Sequence, residues 1–85
     1  MSTSSTPILR LAKSIRELRR QRGLTQSVLA QRAGVPRLSV LHAEQGKEGM
    51  AVGTLARILA ALNAEFAVQP ARRPTLDEAR QLFGP

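Results

Sequence analysis

The residues that could carry out chemistry in this chain are few, and their types argue against a catalytic site. The chain has one histidine, His42, and no cysteine. A zinc site needs several histidine, cysteine or carboxylate ligands, and a catalytic histidine needs a partner that orients or activates it. The sequence supplies neither arrangement, so we expect no bound metal, no cofactor and no enzymatic activity.

The charge of the chain points instead to a polyanionic partner. Thirteen lysines and arginines against six acidic residues give a net charge of +7 and an isoelectric point near 11.8. This balance favours nucleic acid or an anionic membrane surface. The only aromatic residues are Phe66 and Phe83, whereas proteins that bind RNA or single strands usually stack bases on aromatic rings. The composition therefore favours duplex DNA.

Hydropathy argues against a membrane. No apolar run approaches the roughly 18 residues of a membrane span, and MSTSSTP lacks the charged start and apolar core of a signal peptide. A helix lying on a membrane surface would need apolar anchors, but the fold requires the leucines and isoleucines of residues 8–21 internally. We therefore predict a cytoplasmic protein.

Helical periodicity organises residues 8–63, after a leader over 1–7 that we predict to be disordered. Apolar spacing of three and four residues predicts a first helix over 8–21. Thr25 is a good N-cap for a short second helix, which Gly34 would end in a left-handed turn. A third helix would follow, with Pro36 in its first turn and Gly46 at its end. A fourth is expected from Thr54 to about Asn63. The residues predicted to face the core in the second to fourth helices are Leu29, Ala30, Ala33, Val40, Ala43, Leu55, Ile58, Leu59 and Leu62.

Residues 64–70 change the pattern to one of alternation. Ala64, Phe66 and Val68 lie every second residue, which is typical of a β-strand. A single strand in a helical domain has no partner, so we predict that it pairs with the same segment of a second copy across a twofold axis. The alternatives are an extended loop packed on the core and an extension of the fourth helix.

The last residues, 71–85, are predicted to form a linker and a short helix. Thr75 and Glu78 have the spacing of a capping box. The helix that they would open is too short to be stable alone in water, so it would need to dock on the dimer or on a partner, or else fray.

Residues 23–47, GLTQSVLAQRAGVPRLSVLHAEQGK, resemble the helix-turn-helix of the Cro/repressor-type, or XRE, family. The resemblance lies in two short helices joined by a tight glycine turn, the first opening with Thr25-Gln26 and the second followed by Glu44-x-Gly46. It covers about residues 8–63. It implies an all-α, four- to five-helix domain that binds double-stranded DNA, with the third helix in the major groove.

The resemblance also assigns roles to individual positions. It implies base contacts by Arg37, Leu38 and His42, backbone contacts by Gln26, Ser39 and Lys47, and a structural ion pair between Arg19 and Glu44. Arginine can donate two hydrogen bonds to guanine, worth about 1–3 kcal/mol against a wrong base; a phosphate contact is the alternative for Arg37. Gln26 lies at the start of a helix, where a phosphate is favoured; the alternative is a solvated side chain. Arg16, Arg20 and Arg22 would add positive potential.

Two positions depart from the family pattern. Pro36 stands where a capping serine or threonine is common, and Leu41 stands where a polar residue is more usual. Leucine at position 38 suits a thymine methyl group, whereas the role of Leu41 is open. These departures affect which bases are contacted and leave the predicted architecture unchanged.

Residues 52–70, VGTLARILAALNAEFAVQP, are most similar to the HipB-type antitoxins within this family. That resemblance implies a homodimeric repressor that binds a palindromic operator in its own operon and neutralises a HipA-like, kinase-type toxin. The alternative is a stand-alone XRE-family regulator with no toxin partner.

Overall fold

Four α-helices account for most of residues 6–70, the part of the chain that the computed structural model describes. They are α1 (Thr6–Gln21), α2 (Gln26–Ala33), α3 (Arg37–Gln45) and α4 (Val52–Ala61). Helix α3 packs against the other three, and α2 also packs against α4. The five large side chains that are fully buried between the helices are Ile15, Leu29, Val40, Ile58 and Leu62. Residues 6–70 therefore share one apolar core, with α3 held at its centre.

Two helices begin earlier than the sequence pattern predicts. Helix α1 begins at Thr6, inside the leader predicted over 1–7. Proline is tolerated in a first helical turn because its missing N–H would have no partner there, so Pro7 does not delay the helix. Helix α4 begins at Val52 and not at Thr54, because the carbonyl of Ala51 already accepts hydrogen bonds from Thr54 and Leu55 at 3.1 and 3.2 Å. The threonine lies inside the first turn and does not cap it.

Helix α4 ends at Ala61, two residues before the predicted Asn63, which follows the helix with left-handed backbone. Asn63 has φ of 56°, a conformation that asparagine tolerates better than most residues. Its N–H donates to the carbonyl of Ala60 at 2.9 Å, and the N–H of Ala64 donates to that of Leu59 at 2.8 Å. These two bonds form a Schellman motif, which satisfies carbonyls at the end of the helix and turns the chain sharply.

The strand predicted over residues 64–70 is not formed in the single chain, and residues 6–70 contain no strand at all. Ala64 packs against the core, whereas Phe66 is 44% exposed and Val68 is fully exposed. A β-strand needs a second strand to satisfy its backbone groups, and residues 6–70 form no strand with which this segment could pair. The segment is closest to the extended-loop alternative, although only its first residue packs on the core.

The remaining part of the chain lies outside the described residues. The predicted linker and C-terminal helix over 71–85 and the first five residues of the predicted leader fall there. Within the described part, none of the helices is both long and apolar enough to span a lipid bilayer.

Candidate nucleic-acid interface

Helices α2 and α3 meet at a tight turn around Gly34. Gly34 has φ of 71°, and its N–H donates to the carbonyl of Gln31 at 3.2 Å, while the N–H of Val35 donates to that of Ala30 at 3.0 Å. A residue with a side chain would be strained at this φ, so glycine suits the turn. Only two residues then separate this turn from α3. The turn therefore fixes the angle between two short helices, which is the geometry of a helix-turn-helix.

The start of α2 is capped by a side chain. The Oγ1 atom of Thr25 accepts a hydrogen bond from the backbone N–H of Val28 at 3.1 Å, and the Thr25 carbonyl accepts from Leu29. Gln26 is the first residue of the helix and is half-buried. The backbone N–H groups of a first turn, together with the helix dipole, attract anions. This end of α2 is therefore suited to a phosphate group.

An ion pair joins α1 to the end of α3. The Nε of Arg19 donates to Oε2 of Glu44 at 2.6 Å, and its Nη2 donates to Oε1 at 3.0 Å. A third hydrogen bond runs from Nη1 of Arg19 to the carbonyl of Leu24 at 2.9 Å. The two side chains are only 13% and 4% exposed. The arginine thus ties together α1, the loop before α2 and the end of α3.

The charge of Glu44 is stabilised by its surroundings. Burial by itself would raise the pKa of Glu44, but hydrogen bonds from Arg19 and Gln26, with the positive charges of Arg19 and Arg16, lower it below its ordinary value. Its bond to Arg19 in turn raises the pKa of the arginine, against the smaller effect of burial. Both groups are therefore charged at neutral pH, as a stable ion pair requires.

Gln26 connects this ion pair to the start of α3. Its Nε2 donates to Oε1 of Glu44 at 3.2 Å, and its Oε1 accepts from Nη2 of Arg37 at 3.4 Å. Neither contact was predicted from the sequence, because Gln26 is 18 residues from Glu44 and 11 from Arg37 along the chain. The sequence offered one hint of these contacts. Gln26 and Arg37 are the first residues of the two helices that the tight turn connects.

The predicted base-contacting residues share the outer side of α3. Arg37 is exposed, Leu38 is 56% exposed, and His42 is half-buried one turn further along. Val40 and Ala43 are buried on the opposite side. The helix therefore separates its core-facing residues from those that we expect to contact bases.

The predicted backbone-contacting residues lie around this face. Ser39 is half-buried in the first turn of α3, where its backbone N–H donates to the carbonyl of Pro36 at 2.9 Å. Lys47 is exposed just past the end of α3, and its N–H donates to the carbonyl of His42 at 3.1 Å. Ser39 thus lies near the start of α3, Lys47 lies just past its end, and Gln26 lies beside it at the start of α2.

Leu41, whose role the sequence left open, does not project freely into solvent. It is half-buried and borders a cleft of about 240 Å³ that lies between α1, α2 and α3. The other residues that line the cleft are Arg16, Arg19, Gln26, Glu44 and Gln45. Leu41 thus lies beside the Arg19–Glu44 ion pair, because the packing of α1 against α3 covers part of this position.

A metal-dependent role finds no support in the part of the chain that is described. Over residues 6–70, histidines and carboxylates nowhere come together in a group of three that could hold a metal ion.

Comparison with known proteins agrees with this geometry. A family described as a helix-turn-helix domain matches residues 10–76, which is most of the chain. The chain belongs to the helix-turn-helix domain family. No match was found among curated protein sequences.

Two solved structures are similar to this helix-turn-helix protein over most of their length. One, described as "MDT Protein", superposes with a TM-score of 0.70 at 26% identity, over 76% of this chain and 92% of the other. The second is the restriction-modification controller protein C.AhdI from Aeromonas hydrophila, with a TM-score of 0.64 at 28% identity, over 71% of this chain and 91% of the other. Together these matches confirm the all-helical, XRE-like helix-turn-helix fold.

Proposed function

We propose that this helix-turn-helix protein is a sequence-specific regulator of transcription that binds double-stranded DNA and acts as a repressor. The observation that carries the proposal is the exposed start of α3, where Arg37 and Leu38 project beside the capped start of α2. Helix-turn-helix proteins insert the N-terminal residues of the second helix of the motif into the major groove. Here that helix is α3.

In this proposal, some bases are recognised by hydrogen bonds and others by apolar contact. The guanidinium of Arg37 would donate to O6 and N7 of guanine, Leu38 would pack against a thymine methyl group, and His42 would contact a further base. Gln26, Ser39 and Lys47 would contact the DNA backbone. These backbone contacts set the position of α3 on the duplex and do not depend on sequence.

We further propose that the protein binds as a homodimer. Phe66 and Val68 are exposed apolar side chains on a segment that pairs with no strand within residues 6–70. Pairing of Ala64, Phe66 and Val68 with the same residues of a second copy would satisfy that backbone and cover both side chains. Two copies of α3 would then enter successive major grooves about 34 Å apart on a palindromic operator.

Two finer roles agree with this proposal. The similarity of residues 52–70 to HipB-type antitoxins favours a repressor that also binds a HipA-like toxin. The structural similarity to the restriction-modification controller C.AhdI favours instead a regulator without a toxin. An adjacent reading frame for a kinase-like protein, together with co-purification of both chains, would support the antitoxin role; purification of this protein alone from an operon without such a frame would contradict it.

The DNA proposal is tested by comparing a base contact with a backbone contact. An operator is first selected from randomised duplexes with the unaltered protein, and affinities for it and for random DNA are then measured over a range of salt. Arg37→Ala should reduce discrimination at one position of each half-site, by about 1–3 kcal/mol. Lys47→Ala should weaken binding to both duplexes equally and reduce the salt slope by about 1.

Arg57→Ala is the matched control, because Arg57 is an exposed arginine on α4, outside the two helices of the helix-turn-helix. It should leave discrimination unchanged. Equal losses on operator and random DNA for Arg37→Ala would show that Arg37 contacts phosphate and not a base.

The dimer is tested separately by sedimentation. Replacing Phe66 and Val68 by alanine should shift the mass of the protein from dimer towards monomer without loss of helical signal. Leu38→Ala is the control, since Leu38 is also an exposed apolar residue but lies on the proposed DNA face. An unchanged dimer in the double variant would contradict a role for this segment in association.

A further inference from the structure

We infer that the C-terminal segment of this chain, residues 74–85, docks into an apolar groove on its own helical domain. The groove has a volume of about 340 Å³ and lies between the start of α1, the end of α3 and the loop that leads into α4. The inference goes beyond the proposed function and does not depend on it.

The groove leaves part of the apolar surface of the domain uncovered. Its apolar walls are formed mainly by Ile8, Leu11, Met50 and Leu55, and each of these side chains is half-buried. The last three of them pack against the buried core, so the groove opens onto the core itself. Protein interiors are close-packed and contain few voids larger than a water molecule. A hollow of this size beside the core therefore suits an apolar element that is not among residues 6–70.

The sequence of the C-terminal segment suits this groove. The segment lies outside the described residues. Leu76, Ala79 and Phe83 have the spacing of one helical stripe, and Thr75 and Glu78 have the spacing of a capping box. A helix of this length is not stable alone in water, so it needs an apolar surface to pack against. The groove offers such a surface within the same chain.

The chain is long enough to bring the segment to the groove. Leu55 lines the groove, and α4 ends at Ala61, which is a distance of about 9 Å along the helix axis. Residues 62–75 reach about 45 Å when fully extended, so the connection is not strained. A short tether also keeps the local concentration of the segment on the order of millimolar. Its own segment therefore has an advantage over any partner that must bind from solution.

The charges of the two surfaces are complementary. The described part of the chain carries ten lysines and arginines against four glutamates, whereas the segment carries Asp77 and Glu78 against Arg80. Lys47 borders the groove next to Glu48, and it can pair with a carboxylate of the segment. Exposed ion pairs contribute little to stability. The apolar contacts therefore supply most of the attraction, and the charges favour this segment over a basic one.

The test uses the full chain with one spin label. The sequence has no cysteine, so Gly84→Cys can carry a single nitroxide next to Phe83. A nitroxide broadens the NMR signals of nearby nuclei, and the methyl signals of Ile8, Leu11, Met50 and Leu55 should therefore lose most of their intensity. The methyl signals of α2 are the internal reference, because none of its residues lines the groove. They should keep their intensity.

Substitutions on both surfaces then test the contact itself. Leu76→Ser combined with Phe83→Ser removes the apolar stripe and should restore the groove signals. Gln81→Ser is the matched control, since Gln81 lies opposite the stripe in a helix, and it should leave the broadening unchanged. Ile8→Ser alters the groove, and the fold should survive because Ile8 is only half-buried, which the helical signal checks. Full broadening in the double variant or in Ile8→Ser would overturn the inference.

A mixed sample separates the segment of the same chain from other occupants. Methyl-labelled chains without nitroxide are refolded together with nitroxide-carrying chains that are not methyl-labelled, and the groove signals should then keep their intensity. A loss in this sample would show that the segment of a second copy occupies the groove. Unbroadened groove signals in both samples would show that the segment does not bind there and that the groove serves another partner. Either result would overturn the inference, and neither bears on DNA binding, because every sample lacks DNA.

Discussion

The two ends of α3 are held in different ways. At its end, Glu44 forms the ion pair with Arg19, and Gly46 lies so close to α1 that an added Cβ would be 2.8 Å from Leu9. At its start, Pro36 makes no side-chain capping bond, and Arg37 and Leu38 are exposed. The end is fixed by tertiary contacts, whereas the start is presented to solvent.

This difference shows how a short helix can be both rigid and available. Nine residues of helix would not be stable alone in water, so its position must come from packing and from the contacts at its end. Binding residues on a rigidly held element keep their geometry better than residues on a loop. The comparison predicts that substitutions at the end of α3 affect stability most, and that those at its start affect stability least.

The largest effect on stability should come from breaking the ion pair. Glu44→Ala leaves the largely buried Arg19 without its charged partner, and we expect a loss of about 1.5–3 kcal/mol in the free energy of unfolding, measured by urea denaturation. Glu17→Ala on the exposed side of α1 is the control and should change it by less than about 0.5 kcal/mol. Similar values for the two variants would mean that the ion pair does not hold the end of α3.

The same pair should make stability depend on pH in the acid range. The pKa of Glu44 is lower in the folded protein than its ordinary value, so the unfolded chain takes up the proton first as pH falls. The contribution of the pair is therefore complete above about pH 4.3, the ordinary value for glutamate, and is lost as pH falls through the lower folded pKa. The unaltered protein should be more stable than Glu44→Gln at pH 7, and the two should converge at acid pH. A difference that stayed constant down to pH 3 would contradict this assignment.

A smaller effect is expected from the approach of Gly46 to α1. Gly46→Ala and Gly34→Ala impose the same backbone cost, because φ is 73° and 71°, but an added Cβ meets Leu9 only at Gly46 and finds nothing within 4 Å at Gly34. We expect about 1 kcal/mol for Gly34→Ala and about 0.5 kcal/mol more for Gly46→Ala, because the atom met is Cδ2 of Leu9, the end of an exposed side chain that can move aside. Both values are measured by thermal and urea unfolding. When Leu9 is also replaced by alanine, Gly46→Ala and Gly34→Ala should lower the free energy of unfolding equally. If Gly46→Ala remained the more costly of the two, its extra cost would not come from contact with Leu9.

The smallest effects should come from the helix starts. Thr25→Ala removes the side-chain cap of α2 and should cost about 1 kcal/mol in unfolding free energy. Pro36→Ala removes no capping bond at the start of α3 and should change stability by less than about 0.5 kcal/mol. If Pro36→Ala proved as costly as Glu44→Ala, the two ends of α3 would be equally constrained and the comparison would be wrong.

Local pattern accounts for the parts of the fold that were predicted. The apolar spacing that buries Ile15, Val40 and Ile58, and the glycine turns at Gly34 and Gly46, depend on neighbouring residues and are visible in the sequence. The start of α4 was misplaced because the backbone of Ala51 accepts the first hydrogen bonds without a capping side chain, and the start of α1 was misplaced because Pro7 is tolerated in a first turn. The absence of a strand over 64–70 in the single chain could not be inferred from alternation, because a strand depends on a partner.

The candidate site, too, has features that the sequence predicted and features that it did not. Resemblance to the family indicated Arg37, Leu38 and His42 as positions on α3, and the packing of α3 leaves the first two exposed. The bonds of Gln26 to Glu44 and Arg37 were missed, since contacts between residues far apart in sequence leave no local signal. The position of Leu41 in the cleft beside the ion pair was missed for the same reason.

The sequence by itself determined the helices, the glycine turns between them and the excess of positive charge, because each of these depends on residue type and on near neighbours. Only the tertiary structure decided how α3 is held, which way the Gln26 amide faces and how far Leu41 is covered. These features depend on distances between elements that meet only after the chain has folded, and hydrogen-bond polarity has meaning only once donor and acceptor lie side by side.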